Sequence, residues 1–135
     1  MSNDEADAPA MPLILLVEDE CLISEMLVAM LEDAGFATLV AGDGDSAIKL
    51  LEENGDAIRG LVTDINLDEG MNGWDLARAA RCGASDLPVV YVSGASGHQW
   101  ASQGVPNSLM ITKPFAPAQV VVAISSLFVT SDTTP

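Results

Sequence analysis

Basic residues are scarce. Five Lys and Arg stand against twenty Asp and Glu in 135 residues, a formal charge of −15. A surface of that sign repels phosphate backbones and anionic lipid. It argues against nucleic-acid and membrane binding and favours basic proteins and divalent cations as partners. Histidine occurs once, as His98. That excludes an H-E-x-x-H zinc site or a histidine triad with a spare ligand, and His98 itself reads as a surface-loop residue. The two cysteines, Cys21 and Cys82, form neither a metal spacing nor a disulfide framework. Both read as free thiols in a reducing cytosol, so a cytoplasmic location is expected. No basic segment leads into an apolar one at the N-terminus, so no signal peptide is expected. No apolar run reaches the ~18 residues of a membrane span. Aromatics make up 4% of the chain, yet hydrophobic residues reach 49% and charged residues 19%. This mix builds a core from aliphatic side chains and argues against disorder. The length suits one domain, with no room for a second of ordinary size.

The apolar residues fall into short runs separated by amphipathic stretches. The runs are Leu13–Val17, Phe36–Val40, Leu61–Thr63, Val89–Val92 and Leu109–Ile111. Short aliphatic runs bounded by Gly, Pro and Asp predict strands buried on both faces, the pattern of a parallel sheet. Helical spacing comes after each run. Leu22, Ile23, Met26, Leu27, Met30 and Leu31 predict one apolar stripe ended by Gly35, with Met26 and Met30 as core filler. Further helices are expected over Ser46–Glu53, from Gly73 onward, weakly over His98–Gln103, and over Pro117–Phe128. The third of these five would bury Trp74, while Trp100 on the weak fourth is a candidate interface residue. Strand and helix alternate five times. The expected fold class is α/β, a doubly wound five-stranded parallel sheet with helices on both faces. Residues 1–11 read as a disordered acidic tail, 12–129 as the folded domain and 130–135 as a polar C-terminal tail.

Open α/β sheets bind ligands at the carboxyl ends of their strands. There the sequence places Glu18, Asp19 and Glu20 after the first strand and Asp64 after the third. Ser93 comes after the fourth, and Thr112, Lys113 and Pro114 after the fifth. Taken singly, each has an ordinary reading as a helix cap, a turn residue or a solvated lysine. Their joint placement is what points to chemistry. Crowded carboxylates repel unless a proton or cation intervenes, and oxygen donors of this kind suit Mg²⁺. A carboxylate can also act as the nucleophile that forms an aspartyl-phosphate, with a hydroxyl and an ammonium holding the phosphoryl oxygens.

The segments LILLVEDE, GLVTDINL, VVYVSGA and ITKPF, in this order from Leu13 to Phe128, resemble the receiver domains of two-component response regulators, the CheY-like, flavodoxin-like fold. The resemblance implies a stand-alone signalling module and not an enzyme. It implies Asp64 as phosphoacceptor, Ser93 as switch hydroxyl and Lys113 as the phosphate-contacting lysine, with a cis Lys113–Pro114 peptide. It further implies Mg²⁺ held by Asp19, by Glu18 mostly through water, by Asp64 and by the backbone carbonyl of Asn66. The implied phosphodonor is a histidine kinase or a histidine phosphotransfer protein. The output would leave through the face of the fourth helix, fifth strand and fifth helix, with the chain a monomer or a weak homodimer through that face. Three features depart from the family pattern, the first being the small pair Gly94 and Ala95 after Ser93, which would leave the phosphate accessible to water or a partner. The Asp64–Gly73 loop is one residue longer than the commonest form and lacks its usual proline, and Met110 stands where an aromatic is usual, leaving Tyr91, Trp100 or Met110 itself to serve in its place.

Competing readings are weaker. A haloacid-dehalogenase-like phosphohydrolase normally has a second acid two residues after its nucleophile, where this chain has Asn66, and its nucleophile comes after the first strand. A pseudo-receiver adaptor would not need the full set of Asp19, Asp64, Ser93 and Lys113. The stretch Gly42–Ala47 fits G-x-G-x-x-A before a helix, but it lies after the wrong strand, and Asp43 and Asp45 would face a pyrophosphate with two negative charges. It reads as a turn with Asp45 as the helix cap.

Overall fold

The computed structural model describes residues 11–67, 71–94 and 100–132. His98, residues 68–70 of the Asp64–Gly73 loop, residues 1–10 of the expected N-terminal tail and residues 133–135 of the expected C-terminal tail lie outside the described residues. Five strands and five helices alternate among those described. They are β1 (Leu13–Val17), α1 (Cys21–Asp33), β2 (Ala37–Ala41), α2 (Gly44–Asn54), β3 (Ile58–Asp64), α3 (Gly73–Gly83), β4 (Val89–Ser93), α4 (Trp100–Gln103), β5 (Ser108–Thr112) and α5 (Pro117–Asp132). The strands form one parallel sheet in the order β2-β1-β3-β4-β5. This is the doubly wound architecture that the alternation predicts.

Alternate residues of each strand feed two cores, as the two-residue period of a strand requires. Leu15, Val17, Leu61, Val89 and Tyr91 pack with Ala47 of α2 and with Trp74, Leu76 and Ala77 of α3. Ile14, Leu16, Val62, Val90 and Val92 pack on the other face with Leu27 and Leu31 of α1 and Val120 and Ile124 of α5. Helices on both faces explain why β1, β3 and β4 are almost continuously buried. The expectation of burial on both faces fails for β2, because it is an edge strand and Val40 is 45% exposed.

Four further expectations need correction. The third strand begins at Ile58, ahead of Leu61, because Arg59 and Gly60 join the sheet despite breaking the apolar pattern. In α1 the inward set is centred on Leu27 and Leu31, and Ser24 is buried with them. Leu22 is 76% exposed and Met26 is 49% exposed, so the broad stripe is wider than the face that the sheet covers. The cap of α2 is Asp43, whose Oδ1 accepts the Ser46 amide at 2.7 Å, while Asp45 sits in the first turn. That bond holds the Asp43 carboxyl below its usual range. Finally, α5 continues past Phe128 to Asp132. Gly35 ends α1 as expected, at φ 99°, a conformation that costs other residues steric strain.

Tyr91 and Trp74 together centre the α2–α3 core. Their rings lie 4.6 Å apart, tilted by 57°. Tyr91 is fully buried, and its hydroxyl accepts the backbone amide of Val105 at 3.1 Å, which ties the α4–β5 connection to β4. Tyr91→Phe keeps the ring but orphans that buried amide. Urea unfolding should show a loss of about 1–3 kcal/mol. No loss in the midpoint would show that the amide finds another partner.

Candidate functional site

The sheet order sets β1 beside β3, so the residues after Val17 meet those after Thr63. Both chains continue with carboxylates. Glu18 leaves β1 with its amide bonded to the Ala41 carbonyl at 3.0 Å, which turns it into the sheet edge, where it is buried. Asp19 and Glu20 come next and are exposed. Asp64 closes β3 and is buried, while the next amide, Ile65 N–H, donates to Val92 of β4. Carboxylate oxygens of Glu18, Asp19 and Asp64 all lie within 4.8 Å of one another.

Lys113 reaches the same point from the end of β5. Its Nζ donates to Asp64 Oδ2 at 2.9 Å and lies 3.8 Å from both Glu18 Oε1 and Glu20 Oε1. The Lys113 amide donates to the Ser93 carbonyl at 2.8 Å, so the buried Ser93 and the lysine are carried by one backbone junction. The Lys113–Pro114 peptide is cis, as the resemblance implies. Asp64 Oδ1 accepts the amide of Asn66 at 3.1 Å. Each oxygen of the Asp64 carboxylate therefore has a donor.

The electrostatics arise from crowding and burial. Burial pushes the Glu18 carboxyl up to about 7, and the charges of Asp64 and Asp19 push the same way against the Glu20 amide and Lys113. Burial opposes the Lys113 charge, but the hydrogen bond and charge of Asp64, with Glu18 and Glu20, outweigh it and raise the ammonium above its usual range. Negative charge exceeds what one ammonium neutralises, which is the condition for holding a hard cation or a proton.

Of the residues singled out from the sequence, Glu18, Asp19, Asp64 and Lys113 bring their charged groups together here, and Ser93 ends β4 at the same edge of the sheet, with its carbonyl on the Lys113 amide. Asn66 is also there, and it contributes an amide to Asp64 that the spacing did not foretell. Glu20 also joins, through Lys113. A third residue, Gly73, is legible only in three dimensions. Its amide donates to the Ile65 carbonyl at 2.8 Å. A Cβ on Gly73 would collide with the Asp64 carbonyl oxygen and lie 2.7 Å from Ile65 Cα. The first turn of α3, capped by Asn72 Oδ1 on the Asp75 amide at 2.9 Å, is thus pressed against the backbone that presents Asp64. Among the replacements suggested for the missing aromatic at Met110, Tyr91 is its register neighbour on β4 and is buried. Trp100 is 37% exposed, with its indole N–H on Ser108 Oγ at 2.9 Å.

The fold and the site define a class: α/β signalling modules with an acidic pocket at the carboxyl edge of a 2-1-3-4-5 sheet. The family model "Response regulator receiver domain" matches residues 14–125, and the chain belongs to that family. It is similar to the DNA-binding response regulator MtrA of Mycobacterium tuberculosis, 31% identical over 128 residues, covering 90% of this chain and 53% of that one. It is also similar to the phosphate regulon transcriptional regulatory protein PhoB of Klebsiella pneumoniae, 32% identical over 118 residues, covering 84% of this chain and 50% of that one. The chain spans about half the length of these curated relatives. Among solved structures, a response regulator receiver protein from Sinorhizobium medicae is 41% identical, with a TM-score of 0.83 over 87% of this chain and 94% of that one. Receiver domains are two-component signalling regulators, and this chain is one of them. No helix among the described residues is long and apolar enough to cross a membrane.

Gly73→Ala should cost about 1–3 kcal/mol in urea unfolding, since neither clashing atom belongs to a flexible side chain. An unchanged midpoint would mean that α3 withdraws freely from Asp64.

Proposed function

We propose that this receiver domain accepts a phosphoryl group on Asp64 from a histidine kinase or a histidine phosphotransfer protein, and that the phosphorylated form switches a protein–protein contact. The observation that carries the reading is the Lys113–Asp64 contact of 2.9 Å inside a group of three carboxylates. An Asp64 oxygen forms the new P–O bond. The N–P bond of the donor phosphohistidine breaks, its electron pair stays on the imidazole nitrogen, and that nitrogen takes up a proton. Lys113 and the Ser93 hydroxyl hold the phosphoryl oxygens, as an oxyanion site does. Because Lys113 already touches Asp64, it needs little reorganisation to track the added group.

The donor set suits Mg²⁺. Three carboxylates within 4.8 Å offer hard oxygens only, and the Glu18 carboxyl is lifted to about 7 in the absence of a cation. Glu18, Asp19, Asp64 and the Asn66 carbonyl would hold the ion, which when bound supplies positive charge against the phosphoryl oxygens. Small Gly94 after Ser93 leaves the pocket open to a partner.

Donor docking has apolar surface beside the pocket. The exposed Met26 of α1 lines a groove of about 360 Å³ together with Ile23, Leu27, Lys113, Pro114 and Phe115. The output face is read as α4, β5 and α5, where Trp100 and Val122 are exposed, and any homodimer would form there. The excess of acid over base favours a basic protein as target and disfavours nucleic acid. Residues 12–129 are taken as the functional unit, acting in the cytoplasm without catalytic turnover of an external substrate.

Acetyl phosphate with Mg²⁺ should add one phosphoryl group to the wild-type chain and none to Asp64→Asn, read by intact-mass spectrometry. Modification of the variant would place the acceptor elsewhere.

The metal reading makes a pH prediction. Glu18 titrates near 7 in the folded chain and near 4.5 when unfolded, so the native state binds the extra proton between these values. Its contribution is fully present below 4.5 and is lost as pH rises toward 7. Without Mg²⁺, the Tm should fall from pH 5 to pH 8. The rise in Tm on adding Mg²⁺ should grow over the same interval, because the ion takes the place of that proton. Asp19→Ala should abolish the Mg²⁺-dependent rise. A rise independent of pH and of Asp19 would remove both residues from the metal site.

A further inference from the structure

Glu20 stands apart from the other acids of the pocket. It occupies the cap position of α1, yet its side chain makes no cap hydrogen bond, and the first turn of that helix has no acidic residue. The caps of α2 and α3, Asp43 and Asn72, both engage their helices. Glutamate is a poor cap, and Ser, Thr, Asp or Asn would satisfy a first-turn amide that the Glu20 side chain does not engage. The Glu20 carboxylate turns instead to Lys113, with Oε1 3.8 Å from Nζ, while its side chain stays 61% exposed. The ammonium that touches the nucleophilic carboxylate is thus shared with a charge on the open rim. Glu18, by contrast, is buried, and its amide neighbour is Glu20 itself.

We infer that Glu20 is a specificity-determining residue for the phosphodonor: its carboxylate, standing at the mouth of the Asp64 pocket and facing Lys113, disfavours small dianionic donors. The inference rests on Asp64 being the phosphoacceptor. A free acyl phosphate has to bring its charged phosphoryl group past the rim before any bond forms. Glu20 is at most two salt-bridge lengths from Asp64 Oδ2. At such distances the repulsion between unit charges in a watery rim is worth a factor of about threefold to tenfold in rate, less as salt rises. A protein donor offsets that repulsion with its docking surface, and a small molecule has no such surface. The rim charge therefore suppresses background phosphorylation by small metabolites at the expense of a helix cap. In the reaction tested, an Asp64 oxygen attacks phosphorus, the P–O bond of acetyl phosphate breaks, and acetate leaves with the electron pair.

The test compares initial rates of Asp64 labelling of the full chain by acetyl phosphate and by monoanionic phosphoramidate, with Mg²⁺ saturating for each variant. Glu20→Gln should raise the acetyl phosphate rate about threefold to tenfold at low ionic strength. The gain should be smaller with phosphoramidate and should shrink toward unity in half-molar salt. Glu20→Asp keeps the charge and should keep the wild-type preference between donors. Glu20→Ser supplies a real cap, so it should raise the Tm while giving the same rate gain as Glu20→Gln, which separates charge from folding. An unchanged or slower Glu20→Gln, an equal gain with both donors, or a gain indifferent to salt would overturn the role of Glu20. Failure of the parent reading looks different: the wild-type chain would go unlabelled or Asp64→Asn would be labelled, and the inference would fall with it.

Discussion

One ammonium among carboxylates organises this pocket. Lys113 Nζ is 2.9 Å from Asp64 and 3.8 Å from both Glu18 and Glu20, and it comes from a residue 49 positions beyond Asp64 in the chain. Without it, the end of β1 and the end of β3 would set like charges against each other in a partly buried place, which the fold could relieve only by protonation, by a cation or by opening. The sheet order makes the contact possible. It puts β1 next to β3, and it lets a lysine stem at the end of β5 reach over β4 to the same edge. The Lys113 amide on the Ser93 carbonyl locks the two outer contributors of the pocket into one junction.

The local compromises around this pocket all have the same sense. Glu18 is a buried acid whose proton is held up to about 7. Glu20 occupies a cap position without capping. Gly73 gives up a side chain so that α3 can press on the Asp64 carbonyl. Each feature departs from an ordinary local preference, and each is linked to the proposed phosphoacceptor directly or through Lys113. Sites of function are where local rules are expected to yield. At the same edge of the sheet, α2 and α3 keep well-formed caps, Asp43 and Asn72.

The α4–β5 segment is fastened differently. Tyr91 holds the Val105 amide, Trp100 holds Ser108, and Arg78 of α3 bonds both the Gln103 carbonyl and its side chain, at 3.3 and 2.6 Å. Arg81 joins the Leu87 carbonyl at 2.7 Å. Two of the five basic residues are thus used to pin loops beside β4 and β5. With Met110 on β5, the large ring at this layer comes from β4, one strand over. The connection is held by hydrogen bonds to main-chain and side-chain groups rather than by a ring on the output strand.

The sequence by itself determined the alternation of elements, the parallel sheet and the five chemically expressive side chains at its edge. It could do so because strand and helix periods differ, and because strand ends are marked by abrupt changes from aliphatic to charged residues. It also carried the free cysteines and the burial of Trp74, each a matter of residue type and spacing. Only the tertiary structure decided which apolar residues of α1 are covered. Leu22 and Met26 share the apolar spacing of Leu27 and Leu31, but the sheet and α5 cover only part of that arc. It decided between Asp43 and Asp45 as the α2 cap, since both carboxylates lie within one turn and only the backbone angle selects one. It placed the Asn66 amide on Asp64, brought Gly73 against the Asp64 carbonyl and turned Glu20 toward Lys113. These are contacts between segments that a one-dimensional pattern does not bring together, and their partners are set by strand order, which no local propensity encodes.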